Sequence, residues 1–140
     1  MIPFRVEFRA GASYYEQVAY AAKKAIVSGQ LRPGDPFPSV RILSRELKIN
    51  PNTAHKVVTQ LVLEGLLETL PGIGTVVSVL PDSTRAQRAQ LLGREIEELV
   101  IEAKRLGLSE EEVFAAISAH WKRLITGSPA MNSGRGGKGR

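Results

Sequence analysis

The stretch that decides the fold runs from Ile49 to Val77 and reads INPNTAHKVVTQLVLEGLLETLPGIGTVV. Asn50 is a favourable helix N-cap, and Pro51 suits the first helical position because the N–H that it lacks would have no partner there. The helix that follows should end at Gly65, since glycine readily adopts the left-handed conformation after a helix. Two β-prone runs, LLETL and TVVSV, then flank Pro-Gly-Ile-Gly. The stretch therefore predicts a helix followed directly by a small β-hairpin.

The predicted helix has one apolar side and one polar side. The inward positions are apolar and recur at helical spacing: Ala54, Val57, Val58 and Leu61. The outward positions and their flanks carry amides, hydroxyls, an imidazole and a cation: Asn52, Thr53, His55, Lys56, Thr59 and Gln60. These groups hydrogen-bond to base edges and phosphates, and no carboxylate lies among them. We predict a nucleic-acid contact surface here, with an ordinary solvated helix face as the alternative.

A second predicted helix, residues 40–47, precedes the first and is separated from it by Lys-Ile-Asn. Ser39 is its N-cap. Two helices joined by a turn of three or four residues form the helix-turn-helix pattern. The second helix also carries two arginines, Arg41 and Arg45, whose guanidinium groups suit a guanine edge or a phosphate. The alternative for Arg41 is a surface ion pair with Glu46 or Asp35.

The N-terminal region predicts one more helix and one strand. Residues 13–29 show helical apolar spacing, with Ser13 and Glu16 as a capping box and Gly29 as the stop. Residues 2–8, IPFRVEF, alternate apolar and polar side chains and predict a short edge strand.

The C-terminal region predicts two amphipathic helices. The first, from Thr84 to Leu106, carries an apolar seam with heptad-like spacing: Leu92, Ile96, Leu99, Ala103 and Leu106. Ser109 and Glu112 form a predicted capping box for the second. Its apolar stripe is Val113, Ile117, Trp121 and Leu124. Two such helices are too small to enclose a useful ligand cavity, and their apolar stripes need a surface that covers them. We therefore predict a dimerisation segment, with packing onto residues 1–80 as the alternative.

The charge distribution supports the same division of the chain. The net charge is +5, and residues 1–80 carry nine basic and six acidic side chains. Residues 81–126 carry seven basic and eight acidic side chains, whereas 127–140 carry three basic and none that are acidic. We predict a winged helix-turn-helix DNA-binding domain over 1–80, a two-helix dimerisation segment over 81–126 and a disordered, basic, Gly-rich tail over 127–140.

Several classes of function are disfavoured by composition. The absence of cysteine excludes disulfides and thiolate metal sites. The two histidines, His55 and His120, lie in separate segments and offer no catalytic or metal-ligand constellation, so we expect no enzyme, cofactor or metal. No long apolar run is present, so we expect no membrane span and a cytoplasmic location. Gly72 and Gly74 lack the Lys-Ser/Thr of a phosphate-binding loop and are better read as a hairpin turn.

The order and spacing of short motifs between Tyr15 and Val77 resemble the DNA-binding domain of the GntR family of bacterial transcription regulators. The motifs are Gly29-x-Leu31-x-Pro33-Gly34-Asp35, Pro38-Ser39-x-Arg41, Asn50-Pro51-Asn52-Thr53, Glu64-Gly65-Leu66 and Gly72-x-Gly74-Thr75. The short C-terminal part is similar to the YtrA-like branch, in which a two-helix tail serves dimerisation.

The resemblance implies a mainly α-helical winged helix-turn-helix protein that binds double-stranded DNA as a homodimer. With the polar helix face, it indicates these DNA-binding residues: Ser39, Arg41, Arg45, Asn50, Asn52, Thr53, His55, Lys56, Thr59, Gly72 and Gly74. It implies a repressor at an inverted-repeat operator, of an ABC-type transporter operon by analogy with the short branch. The residues identify no small-molecule effector. A winged helix used for protein contact or RNA binding is the alternative function.

Overall fold

The computed structural model describes residues 2–126, with side chains as far as Leu124, so the tail over 127–140 lies outside the described residues. The chain divides into two compact units, with a boundary between Leu80 and Pro81. The first unit contains the chain up to Leu80, and the second spans Pro81–Arg123.

The first unit has three helices followed by a two-stranded sheet. The helices are α1, Tyr14–Val27; α2, Val40–Leu47; and α3, Pro51–Leu63. The strands are β1, Leu67–Leu70, and β2, Gly74–Val77. They pair antiparallel, with Leu67 opposite Val77 and Leu70 opposite Gly74. This confirms the predicted mainly helical fold with a small β-hairpin.

Each of the three helices begins at the N-cap that the sequence predicts. Ser13 Oγ accepts from the Glu16 N–H at 3.0 Å, and Ser39 Oγ accepts from the Ile42 N–H at 3.2 Å. At the start of α3, Asn50 Oδ1 accepts from the Asn52 N–H at 2.7 Å. Such caps stabilise a helix by about 1 kcal/mol each, because the first N–H groups have no partner inside the helix.

The core lies where the three helices and the hairpin meet. Its fully buried side chains come from every element: Val18, Leu43, Ala54, Val57, Leu61, Leu67 and Val77. The predicted apolar side of α3 is therefore the side that faces this core. Gly65, at φ 80°, ends α3, and the Leu66 N–H donates to the Leu61 carbonyl at 2.9 Å. A tight turn of three residues, 64–66, therefore joins α3 to β1.

The predicted edge strand over residues 2–8 is wrong: this segment has no strand pairing. It packs by side chains instead, with the Phe4 ring stacked on Phe37 at 5.7 Å between centroids. Gln30 Nε2 also donates to the Pro3 carbonyl at 3.2 Å. Residues 34–37 already pair with β2 on the side away from β1. Residues 2–8 therefore find no unpaired edge on β2.

Residues 34–37 form the unpredicted third part of the wing. The Gly34 N–H donates to the Val77 carbonyl at 2.8 Å, and the Val77 N–H donates to the Asp35 carbonyl at 2.9 Å. The Phe37 N–H donates to the Thr75 carbonyl at 2.9 Å. The sequence indicated only a turn here. The turn is present, and residues 34–37 within it also pair with β2, whose backbone groups on that edge would otherwise be unpaired.

The second unit is a pair of helical segments joined at Gly107. Its elements are α4, Arg85–Ala89; a π-helical turn, Gln90–Glu95; α5, Ile96–Arg105; and α6, Glu110–Thr126, whose last three residues lie beyond the boundary at Arg123. Thr84 and Gln87 form a reciprocal capping box at the start of α4. The predicted box before α6 is confirmed, because Ser109 and Glu112 exchange two hydrogen bonds of 3.1 Å.

The predicted uninterrupted α-helix over 84–106 is corrected by the π-helical turn. Gly93 lies inside that turn and has a low intrinsic helix propensity. The wider i→i+5 turn changes the angle between Leu92 and the residues after it. Leu92 is 68% exposed, against 38% for Ile96 and 43% for Leu99. Among residues 2–126, no helix is long and apolar enough to cross a membrane.

Candidate nucleic-acid interface

The first turn of α3 is organised by its own side chains. Asn50 Oδ1 accepts from the Asn52 N–H at 2.7 Å, and Pro51 occupies the first helical position. The Asn50 oxygen is therefore used by the cap, and its amide N–H groups remain as donors. The Asn52 side chain is exposed beside it, free of the cap.

The polar side of α3 is accessible along its length. Asn52, His55, Lys56 and Thr59 are exposed, and Thr53 is half-buried. Ala54, Val57 and Leu61 are fully buried on the other side, so the rotation of α3 about its axis is set by the core. This geometry presents amide, hydroxyl, imidazole and ammonium groups on one rigid helix.

The turn between α2 and α3 is fixed by two local features. Lys48 adopts the left-handed conformation, with φ 56° and ψ 48°, and is the one non-glycine residue of positive φ among the described residues. Ser44 Oγ donates to the Ile49 carbonyl at 2.9 Å across the same turn. Together they set the angle at which α3 leaves α2.

The two arginines of α2 are exposed. Arg41 takes part in none of the ion pairs between described side chains, so the alternative of a surface ion pair is not observed. Asp35 Oδ2 instead accepts from the Arg32 N–H at 2.8 Å. The Arg41 guanidinium is thus available for an external anion.

Lys56 has a partner that the sequence did not indicate. Its Nζ lies 4.5 Å from the centroid of the Tyr15 ring, within the range of a cation–π interaction. Tyr15 is half-buried and packs against the core. Nothing in the local pattern around Lys56 could predict this, because the two residues belong to α3 and α1.

The wing ends in a tight turn that exposes an apolar side chain. The Ile73 N–H donates to the Leu70 carbonyl at 3.1 Å, with Pro71 and Gly72 as the central residues. Gly72 has φ 76° and Gly74 has φ 113°, which a side chain would strain. Ile73 is 73% exposed at this tip. The interpretation of these glycines as a hairpin turn is confirmed.

At the C-terminal end of α3, the carboxylate of Glu64 is paired with a lysine and a glutamine. Lys23 Nζ of α1 lies 3.0 Å from Glu64 Oε1, and Gln60 Nε2 donates to Glu64 Oε2 at 2.7 Å. Burial acts to raise the pKa of Glu64, but the hydrogen bonds from Gln60 and Lys23 and the Lys23 charge outweigh it and lower the pKa. Glu64, the C-cap residue of α3, is therefore already paired within the protein, at the opposite end of the helix from Asn52.

The two histidines lie on different helices, His55 on α3 and His120 on α6. Within the described residues, no group of three or more histidine, aspartate or glutamate side chains is placed to hold a metal ion.

A helix-turn-helix followed at once by a two-stranded wing defines a winged helix-turn-helix domain, a class built to present one helix to DNA. Residues 14–77 match the model of the family described as bacterial regulatory proteins, gntR family. The chain is 32% identical over 110 residues to the HTH-type transcriptional repressor YtrA of Bacillus subtilis, covering 78% of this chain and 85% of that protein. The chain belongs to the GntR family.

Two further comparisons extend beyond the head domain. The chain is 31% identical over 111 residues to the HTH-type transcriptional regulator YhcF of Bacillus subtilis, covering 79% of this chain and 92% of that protein. A transcriptional antiterminator from Listeria monocytogenes has the same fold, with a TM-score of 0.77, 24% identity and coverage of 87% of this chain and 92% of that one. The predicted similarity to the YtrA-like branch is confirmed.

The family assignment fixes the general function. The protein is a transcription regulator with a helix-turn-helix DNA-binding domain, and its family is not enzymatic.

Proposed function

We propose that the protein is a dimeric repressor that binds an inverted-repeat operator, with α3 of each protomer in a major groove. The observation that carries this is the exposed, acid-free polar face of α3, whose opposite side is buried in the core, together with the exposed Arg41 of α2. Amide and guanidinium groups on a helix of this kind match the donor and acceptor pattern of the major groove.

We assign the predicted residues two roles. Asn52 and Thr53, at the end of α3 that enters the groove, read bases together with His55 and Thr59. Arg41, Arg45 and Lys56 neutralise phosphates, aided by the hydroxyl of Ser39 and the amide of Asn50. The wing turn at Gly72 and Gly74 lies beside the sugar-phosphate backbone of the DNA. Phosphate contacts of this kind set the register, and base contacts set the sequence preference.

The exposed apolar surface of the second unit supports the proposed dimer. Most of its large apolar side chains are exposed in the single chain: Leu91, Leu92, Ile96, Leu99, Val100, Ile101, Leu106, Leu108, Phe114, Ile117 and Trp121. Ala103 is the one buried apolar residue that the described part of this unit contributes. Two helices with so little buried surface are marginal alone, so a partner copy is the natural cover. The predicted seam residues of the first helix and the stripe Val113, Ile117, Trp121 and Leu124 of α6 form its interface.

A two-fold dimer places two α3 helices in opposite senses, which requires an inverted-repeat site. YtrA of Bacillus subtilis is a transcriptional repressor, and we extend that role to this chain. By analogy with the short branch, an ABC-type transporter operon is the proposed target. A protein that acts on bacterial DNA works in the cytoplasm. We propose no cofactor or metal, and the effector stays unassigned.

Fluorescence anisotropy tests the proposal, using the full chain on its own upstream DNA and on a shuffled duplex across a salt series. We expect binding to the native sequence about a hundredfold tighter or more. Equal and steeply salt-dependent binding to both duplexes would leave a basic protein without sequence preference on that DNA and would overturn the operator proposal. No binding to either would favour the protein-contact or RNA-binding alternative.

A further inference from the structure

The contact between Lys56 and Tyr15 joins the polar face of α3 to the core of the first unit. Lys56 is exposed, and its Nζ lies 4.5 Å from the centroid of the Tyr15 ring. The distance matches a cation–π interaction, in which the negative face of the ring attracts the ammonium group. A lysine on an exposed helix face would otherwise sample many rotamers.

The ring of Tyr15 is a fixed platform. Tyr15 lies in the first turn of α1, half-buried and packed against the core cluster. The start of α1 is held by the Ser13 cap and by Gln17, whose Nε2 donates to the Arg9 carbonyl at 3.1 Å and to the Ala12 carbonyl at 3.0 Å. The position of the ring therefore depends on the fold and not on the lysine.

We propose that Tyr15 is a positioning residue for DNA binding, which holds the Lys56 ammonium in the orientation that contacts a phosphate. This inference rests on the proposed function. The ammonium has three N–H donors, and the ring occupies one side of it, so donors remain for the DNA. Because the side chain is ordered before the DNA arrives, less rotamer entropy is lost on binding. Tyr15 itself contributes no charge.

The role separates cleanly from a direct contact in a salt series. The slope of log Kd against log salt reports the number of phosphates neutralised. Lys56→Met should weaken binding and lower that slope by about 1. Tyr15→Leu keeps the charge, so it should weaken binding about three- to fivefold with the slope unchanged. Tyr15→Phe keeps the ring and should bind as the wild type does.

A double-mutant cycle measures the coupling, and α1 offers a matched control. In the Lys56→Met background, Tyr15→Leu should cause no further loss, because the group that it positions is gone. Tyr20→Leu removes another tyrosine of α1 beside a lysine, since Lys24 Nζ lies 6.0 Å from that ring. We expect Tyr20→Leu to leave DNA binding unchanged. The melting temperature of every variant is measured alongside.

Additive losses in the cycle would overturn the positioning role. A loss from Tyr15→Phe as large as that from Tyr15→Leu would also overturn it, because it would show that the hydroxyl itself matters. Should Tyr15→Leu destabilise the fold, NMR of the DNA-free wild type decides instead. We expect the Lys56 ε-protons to be shifted upfield by the ring, and unshifted protons would overturn the contact. A wild-type protein that binds no DNA refutes the proposed function and with it this inference, whereas additivity in a wild type that binds refutes the inference alone.

Discussion

At the scale of single residues, substitution of Asn52 tests whether α3 reads bases or only adds general affinity for DNA. Its side chain is exposed and makes no contribution to the α3 cap, which uses the Asn50 oxygen and the Asn52 backbone N–H. Asn52→Ala should therefore leave the melting temperature unchanged. If the amide reads a base, the preference for operator over shuffled DNA should fall by about 1–3 kcal/mol in an anisotropy titration.

The exposed amide of Gln90 in the second unit provides the control for Asn52. Gln90→Ala should leave both affinities unchanged. Equal losses of Asn52→Ala on operator and shuffled DNA would show that Asn52 contacts the backbone and reads no base.

Lys48 holds the turn of the helix-turn-helix at a conformational cost. A side chain at φ 56° brings Cβ close to the following carbonyl, and glycine avoids that contact. Lys48→Gly should raise the free energy of unfolding by about 0.5–1 kcal/mol, after allowing for the greater freedom of glycine in the unfolded chain. Urea denaturation measures it.

Lys48→Ala separates strain from charge, because alanine keeps the Cβ and loses the ammonium. We expect Lys48→Ala to show no gain. A gain as large as that of glycine would mean that repulsion involving the lysine charge, and not the backbone conformation, destabilises the turn.

At the scale of elements, the Lys23–Glu64 pair links α1 to the end of α3. Its pKa effect gives a pH dependence with a definite sign. The pKa of Glu64 is lowered in the folded protein, since Gln60 and Lys23 together outweigh burial, which raises it. The stabilisation is therefore complete above the ordinary value of 4.5 and is lost as the pH falls through the lower, folded pKa.

Glu64→Gln should cost less than about 1 kcal/mol at neutral pH, because the pair is partly exposed to solvent. The difference in melting temperature from the wild type should shrink as the pH falls below 4.5, the unperturbed value. Glu68→Gln, at an exposed position of β1, is the control. A difference that grows on acidification would contradict the assigned sign.

At the scale of the whole molecule, we expect the exposed apolar surface of the second unit to form the proposed dimer interface. Leu99 is 43% exposed in the single chain and lies in the predicted seam. Leu99→Asp should convert a dimer of about twice 15.2 kDa into a monomer, because a charge at an apolar interface loses its hydration. Size-exclusion chromatography with light scattering measures the mass.

Glu97→Asp places the same aspartate in the same helix at an exposed, already acidic position. It should remain dimeric, and the far-UV spectrum of both variants should stay helical. A wild-type protein that is monomeric at micromolar concentration, or a Leu99→Asp protein of unchanged mass, would contradict the seam.

The helices and caps were predictable because their determinants are local. Ser39 and Asn50 bond to backbone groups two or three residues away, and Gly65 adopts its own left-handed conformation. The apolar spacing of α3 likewise identified its buried side before any contact was known. The expected strand over residues 2–8 failed because alternation alone does not supply a sheet edge.

The amino-acid sequence by itself determined the winged helix-turn-helix order, the ends of its helices and the exposed polar face of α3, since each depends on groups a few residues apart. The tertiary structure alone decided that residues 34–37 cover β2 and that Tyr15 lies under Lys56. These pairs are about 40 residues apart in the chain. They meet because the core closes around α1 and α3, and no local pattern encodes that closure.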